Sequence, residues 1–169
     1  MFTGAVIVMG VASCGKTSVG EKLAMRLHAP FIEGDALHPP ENVAKMSSGI
    51  ALTDEDRWPW LEQIGKTLRG NTAIVASCSA LKKAYRQRLK EAAQRPITFV
   101  FLKGTREQLA IRIAARKNHF MPPSLLDSQL ATLEPPGADE GAIVCDISLT
   151  VDDIAAKAFS ELNLKNKSW

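Results

Sequence analysis

The octet GVASCGKT, residues 10–17, comes directly after the apolar run AVIVM and leads through SVG into EKLAMRL. Its spacing is G-x-x-x-x-G-K-T, and no other stretch restricts the fold as tightly. A buried strand must end in a turn whose backbone N–H groups point inward, and a helix must begin at once. Such a turn, backed by the positive end of the helix dipole, is built to hold phosphate oxygens. Lys16 is placed to reach the β- and γ-phosphates, and the Thr17 hydroxyl to face Mg²⁺. The rival reading is a plain glycine-rich turn.

The rest of the chain is consistent with that beginning. AVIVM, PFIEGD, NTAIVASCS, ITFVFLKG and AIVCDI read as five short strands, and continuous apolar runs suit parallel strands covered on both faces. Between them Val19, Leu23 and Leu27 recur at helical spacing, as do Trp58, Leu61, Ile64 and Leu68, then Tyr85 and Leu89, then Leu109 and Ile113. Thr150 with Asp153 three residues on resembles a capping box, which starts the last helix near Val151. Alternating strands and helices predict one α/β domain over 1–169, a doubly wound parallel sheet with ligands at the carboxyl ends of its strands. The stretch EPPGADEG, residues 134–141, reads as a loop.

Polar residues gather where that topology puts a site. Glu33 and Asp35, two apart on what reads as an extended segment, point the same way. Asp35 is expected to accept the proton of an acceptor hydroxyl, and Glu33 to hold Mg²⁺ through water. Taken alone, Glu33 reads equally as an exposed turn acid. His38, Asn42, Lys45, Asp54, Asp56 and Arg57 crowd the next stretch, as a polyhydroxylated substrate requires. Asp54 is expected to serve the helix start after Thr53, and His38 can be a cap beside Pro39. Arg57 offers the guanidinium fork that suits a carboxylate.

Composition excludes several classes. With 169 residues and 46% hydrophobic residues the chain can bury one sizeable core. No apolar run is long enough to span a bilayer, and no basic leader precedes the phosphate loop, so a cytoplasmic protein that does not engage membranes is expected. Cys14, Cys78 and Cys145 form neither a disulfide framework nor a zinc pattern. Cys14 differs from the others: two residues before Lys16, at a helix start, its thiol is expected to have a lowered pKa. The net charge is +3, yet residues 82–117 are densely basic, interrupted only by Glu91 and Glu107. That density suits an anionic ligand. Few aromatics interleave it, which speaks against a nucleic-acid surface.

GDALHPPENVAKMSSGIALTDEDRWPWL, CSALKKAYRQRL, FLKG and RIAARKNHFMPPSLLDSQLATLEPP together resemble the gluconokinase family of small P-loop kinases, over residues 6–146. The wider resemblance is to shikimate kinase and the nucleoside monophosphate kinases. It implies a P-loop kinase fold with a five-stranded parallel sheet flanked by helices and a mobile lid over about 112–124. Gly10, Val11, Ala12, Ser13, Cys14, Gly15, Lys16 and Thr17 would then hold ATP, and Asp35 would contact the acceptor. His38, Arg57, Ser79, Lys82, Arg86, His119 and Gln129 would bind gluconate, and a homodimer is implied. From the lid, Arg112 would flank the adenine and Arg116 would neutralise the transferring phosphoryl group. The implied reaction is phosphorylation of D-gluconate at its 6-hydroxyl, feeding the pentose phosphate route. Kinases for shikimate or a nucleotide are the rivals. There are two departures from the family pattern. Ser13 replaces a glycine of the usual loop, and Glu33 stands where relatives often carry Asp.

Overall fold

The computed structural model describes residues 1–116 and 123–167. In chain order the elements are β1 (Gly4–Met9), α1 (Lys16–Leu27), β2 (Phe31–Glu33), a 3₁₀ turn (Gly34–Leu37), α2 (Pro40–Ser47), α3 (Asp54–Arg69), β3 (Ala73–Ser77), α4 (Lys83–Ala93), β4 (Ile97–Lys103), α5 (Arg106–Ala115), α6 (Pro123–Thr132), a second 3₁₀ turn (Ala138–Glu140), β5 (Ile143–Asp146) and α7 (Val151–Asn166). The strands form one five-stranded sheet, order β2-β3-β1-β4-β5. Every pairing is parallel, with Val6 of β1 opposite both Val75 and Thr98.

The central strand explains the two cores. Successive side chains of a strand point to opposite faces, so Val6 and Val8 join Val19, Leu23, Ile154 and Leu162 under α1 and α7. Ala5, Ile7 and Met9 join Leu61, Ile64, Leu68 and Leu89 under α3 and α4. Val6, Ile7 and Val8 are wholly buried. That two-sided burial is why the segment reads as an unbroken apolar run. Truncating any one of the core leucines to alanine costs about 2–5 kcal/mol.

Helix starts obey their caps. Thr53 accepts from Asp56 N while the Asp56 carboxylate accepts from Thr53 N, and Thr105 and Gln108 repeat the exchange at α5. Thr150 accepts from Asp153 N at the start of α7, as expected from sequence, though only this half of a capping box is formed. Helices α2 and α6 carry no stripe to read: the one buried residue of α2 is Asn42, and among the described side chains of α6 only Leu126 is buried. The 134–141 loop includes the short second 3₁₀ turn. Helices α3 and α4 pack closely because Gly65 has no side chain. A Cβ there would lie 2.4 Å from Ala92 Cβ and 3.0 Å from Leu89 O.

Candidate active site

The loop at residues 10–17 links β1 to α1 and holds three residues at positive φ, Gly10, Ser13 and Gly15. Gly15 caps α1 at φ 98°, a conformation that favours glycine. Ser13 takes φ 66°, so the serine that replaces a family glycine does adopt the left-handed turn, at a cost of about 1–2 kcal/mol. Lys16 Nζ donates to Gly10 O and Val11 O, both at 3.0 Å, and so lies across the opening of the loop. The Cys14 side chain faces the core instead. Burial pushes its thiol pKa up, outweighing the nearby charges of Lys16 and Arg112. The expected lowered pKa is therefore incorrect, because dehydration of a thiolate exceeds the local attraction.

Three residues from α5, its C-cap and α6 touch three successive loop residues. Gln129 Oε1 accepts from Ala12 N at 2.7 Å. Arg116 Nη1 donates to Ser13 Oγ at 3.2 Å. Arg112 donates to Cys14 O at 3.1 Å and to Ile147 O at 2.5 Å. Gln129 is thus held against the loop at residues 10–17 by its carboxamide oxygen. Of the lid, residues 117–122 lie outside the described residues, and His119 with them.

Behind the loop, Thr17 Oγ1 donates to Glu33 Oε2 and Ser77 Oγ donates to Glu33 Oε1, each at 2.5 Å. Ser77 Oγ also accepts from Gly34 N. Glu33 ends β2, and Asp35 already belongs to the 3₁₀ turn. The expectation that both acids share one extended segment therefore fails, and the turn separates their surroundings. Asp35 is 75% exposed and its Oδ1 lies 4.0 Å from His38 Nε2. The buried Cys78, at the end of β3, senses the charges of both Asp35 and Lys16. His38 stacks on Trp60, with centroids 4.0 Å apart, and burial lowers its pKa. Trp60 Nε1 in turn donates to Gly34 O. Ser79 lies just past β3, and its carbonyl accepts from Gly10 N.

A second cluster joins the N-terminal turns of α3 and α4. The Tyr85 hydroxyl donates to Asp54, and Lys82 Nζ lies 3.4 Å from both Asp54 oxygens. Arg57 donates to Leu52 O at 2.8 Å and to Tyr85 at 3.2 Å. Burial and the Asp54 contact raise the Tyr85 pKa to about 12, and the same hydrogen bond lowers that of Asp54. Asp54 is thus both a helix-start charge and the anion between two cations. Lys45 and Asp56 pair at 2.7 Å, and Asn42 donates to Asp56 O, tying α2 to α3.

Arg86 is a correction. It is 1% exposed. Its donors go to Glu140 at 2.7 and 3.0 Å, and to the carbonyls of Ala80, Leu81 and Glu134. A guanidinium so satisfied has no donor left for a substrate, and Arg86 holds the 134–140 loop to α4. Sequence reasoning missed Tyr85 and Ser77 as polar partners, since Tyr85 reads with Leu89 as the apolar face of a helix and Ser77 lies in the apolar run of a strand. Among the described residues no three His, Cys, Asp or Glu side chains cluster to hold a metal, and no helix is long and apolar enough to cross a membrane.

Residues 6–136 match a family model described as an AAA domain. The chain is 50% identical over 142 residues to the gluconokinase of Gluconobacter oxydans, covering 82% of this chain and 79% of that one. The chain belongs to the gluconokinase family. The thermoresistant gluconokinase of Escherichia coli is 41% identical over 155 residues, covering 89% and 88% of the two chains. A solved gluconokinase from Sinorhizobium meliloti 1021 superposes with a TM-score of 0.90 at 48% identity, covering 99% of both chains. As a gluconokinase-family P-loop kinase the chain uses ATP.

Proposed function

We propose that this kinase transfers the γ-phosphoryl group of ATP to the 6-hydroxyl of D-gluconate, giving 6-phospho-D-gluconate and ADP, which feeds the pentose phosphate route. The observation that carries the reading is the cationic cluster of Arg57 and Lys82 around Asp54, at the starts of α3 and α4, with α3 also held to the turn that carries Asp35 through Trp60 and Gly34 O. Two cations against one acid leave a positive balance, which suits an acceptor bearing a carboxylate.

Asp35, exposed beside His38, takes the proton of the attacking hydroxyl. Lys16 tracks charge onto the leaving phosphates, and Arg116, already at the loop, neutralises the phosphoryl group in transfer. Ser79 and His38 line the acceptor side, and Arg112 is close to the adenine. Thr17 and Glu33 present a hydroxyl and a carboxylate oxygen in contact, the hard oxygen donors that fit Mg²⁺. Thr17 and Glu33 would hold magnesium, which would supply neutralisation of charge at the phosphates. The reading includes a single domain over 1–169 and a homodimer, as the family resemblance implies. It also places the protein in the cytoplasm, where thiols such as the three unpaired cysteines stay reduced.

The test is ADP release measured with gluconate, shikimate, glycerate and nucleoside monophosphates as acceptors. Turnover is expected with gluconate. Turnover only with another acceptor overturns the reading.

A further inference from the structure

Lys16 marks the γ-phosphate side of the loop. Its ammonium, the group that reaches the β- and γ-phosphates, sits on the carbonyls of Gly10 and Val11 at 3.0 Å each. The next N–H along the chain is that of Ala12, and it donates to Gln129 Oε1 at 2.7 Å. Only the oxygen of a carboxamide can accept, so this contact also sets which way the Gln129 side chain points.

Gln129 does not reach the loop by chance of a loose side chain. It lies in the last turn of α6, whose Leu126 is 1% exposed in the core beneath α1. Asp127 of the same helix accepts from Arg106 at 2.7 and 3.2 Å, tying α6 to α5. At its C-terminal end Leu133 N donates to Gln129 O, and Glu134 N to Leu81 O at 2.8 Å. The carboxamide is therefore presented from a braced helix to the early half of the loop. The later half holds the left-handed Gly15 and leads into the N-terminus of α1, whose free N–H groups suit the other phosphates.

We infer that Gln129 is a positioning residue that fixes the γ-phosphate end of the nucleotide loop through the Ala12 N–H, and so sets the preference of the enzyme for ATP over ADP. It is not a gluconate ligand. The β-phosphate is cradled by amides beyond Ser13, which Gln129 does not hold. A loosened Ala12 changes the path of the early half of the loop, where the γ-phosphate would lie, while Lys16, which serves both phosphates, keeps its anchors on the Gly10 and Val11 carbonyls. The inference rests on the ATP-dependent kinase reading but needs no particular acceptor.

The experiment compares the full-length protein with Gln129→Met, which keeps length and packing without the acceptor, and with Gln129→Ala. Dissociation constants are measured for ADP and for the β,γ-imido analogue of ATP, with Mg²⁺ and no acceptor present. Loss of one hydrogen bond predicts that the analogue binds roughly 3- to 10-fold more weakly in both variants while ADP binding is unchanged. The Ala12 amide, tracked by hydrogen exchange in the nucleotide-free protein, is expected to lose protection in both. The gluconate KM is expected to stay at the parental value. Equal weakening of ADP and the analogue, tighter binding of the analogue, unchanged binding of both, or a raised gluconate KM with unchanged nucleotide affinities each overturns the inference. If one variant fails to fold, the amide protection and nucleotide titrations of the other still decide. Failure of the gluconate reading would leave these acceptor-free titrations untouched, so the two outcomes are separable.

Discussion

Thr17 Oγ1 donates to Glu33 Oε2 at 2.5 Å, joining the first turn of α1 to the end of β2 across 16 residues of sequence. The other oxygen of Glu33 accepts from Ser77 on β3. One carboxylate therefore ties three elements together directly behind the phosphate loop. Glu33→Gln keeps the shape and removes the charge. Its expected effect is a rise of roughly 10- to 100-fold in the Mg²⁺ concentration needed for half-maximal turnover, the usual scale for groups that orient a metal's surroundings. A Mg²⁺ titration of the variant at saturating ATP and gluconate checks this, and an unchanged titration assigns Glu33 to structure alone.

Arg57 and Lys82 both meet Asp54 but are held by different further partners. Arg57 is anchored by Leu52 O and Tyr85, whereas Lys82 lies at 3.4 Å from Asp54. Arg57→Ala is expected to raise the gluconate KM roughly 10- to 100-fold, the scale of one charge-assisted hydrogen bond. The ATP KM should move little. Steady-state kinetics with each substrate varied in turn measure both, and equal rises would reject a carboxylate partner at Arg57.

Arg86 and Glu140 are a buried ion pair with 1% and 5% exposure. Removing one member strands the other charge, so Arg86→Met is expected to destabilise the fold by about 3–5 kcal/mol. Urea denaturation reads that loss. The gluconate KM of the folded fraction should equal the parental value. A stable variant with a raised gluconate KM would return Arg86 to the substrate site.

Asp56 gives a pH dependence with a definite sign. The hydrogen bond from Lys45, then that from Thr53 N, lowers its pKa from 3.8 to about 2. A carboxyl lowered on folding stabilises the protein above its unfolded pKa and ceases to do so as pH falls through the folded one. Asp56→Asn should therefore melt below the parent at neutral pH, and the two melting curves should converge between pH 3.8 and about 2. A gap that stays constant over that window would show that the Thr53 cap geometry, rather than the charge, carries the effect.

The strands and the striped helices were legible because burial on two faces leaves an unbroken apolar run, as in Val6, Ile7 and Val8. The strand–loop–helix junction at residues 10–17 was legible because its glycines and lysine recur at a fixed spacing. Helices α2 and α6 were not, since Asn42 and Leu126 give no period. The site residues misread from sequence share one cause, which is that their partners are remote or their burial unseen. Arg86 meets Glu140 across 54 residues, and Gln129 meets Ala12 across 117. Cys14 carries every local mark of a reactive thiol except access to water. Asp35 was placed at the correct end of the sheet but in the wrong local geometry, because a 3₁₀ turn and a strand end can share the same few residues.

Gly65 has a reach beyond its own contact. It sets how near α3 comes to α4, with Ala92 at 2.4 Å from where a methyl would stand. Helix α3 carries Arg57, and α4 begins immediately after Lys82. The missing methyl thus acts as a spacer of zero thickness that calibrates the span between the two cations, roughly two to three helical turns from the glycine. Any side chain at 65 would open the two helices like a pair of calipers and widen the span between Arg57 and Lys82.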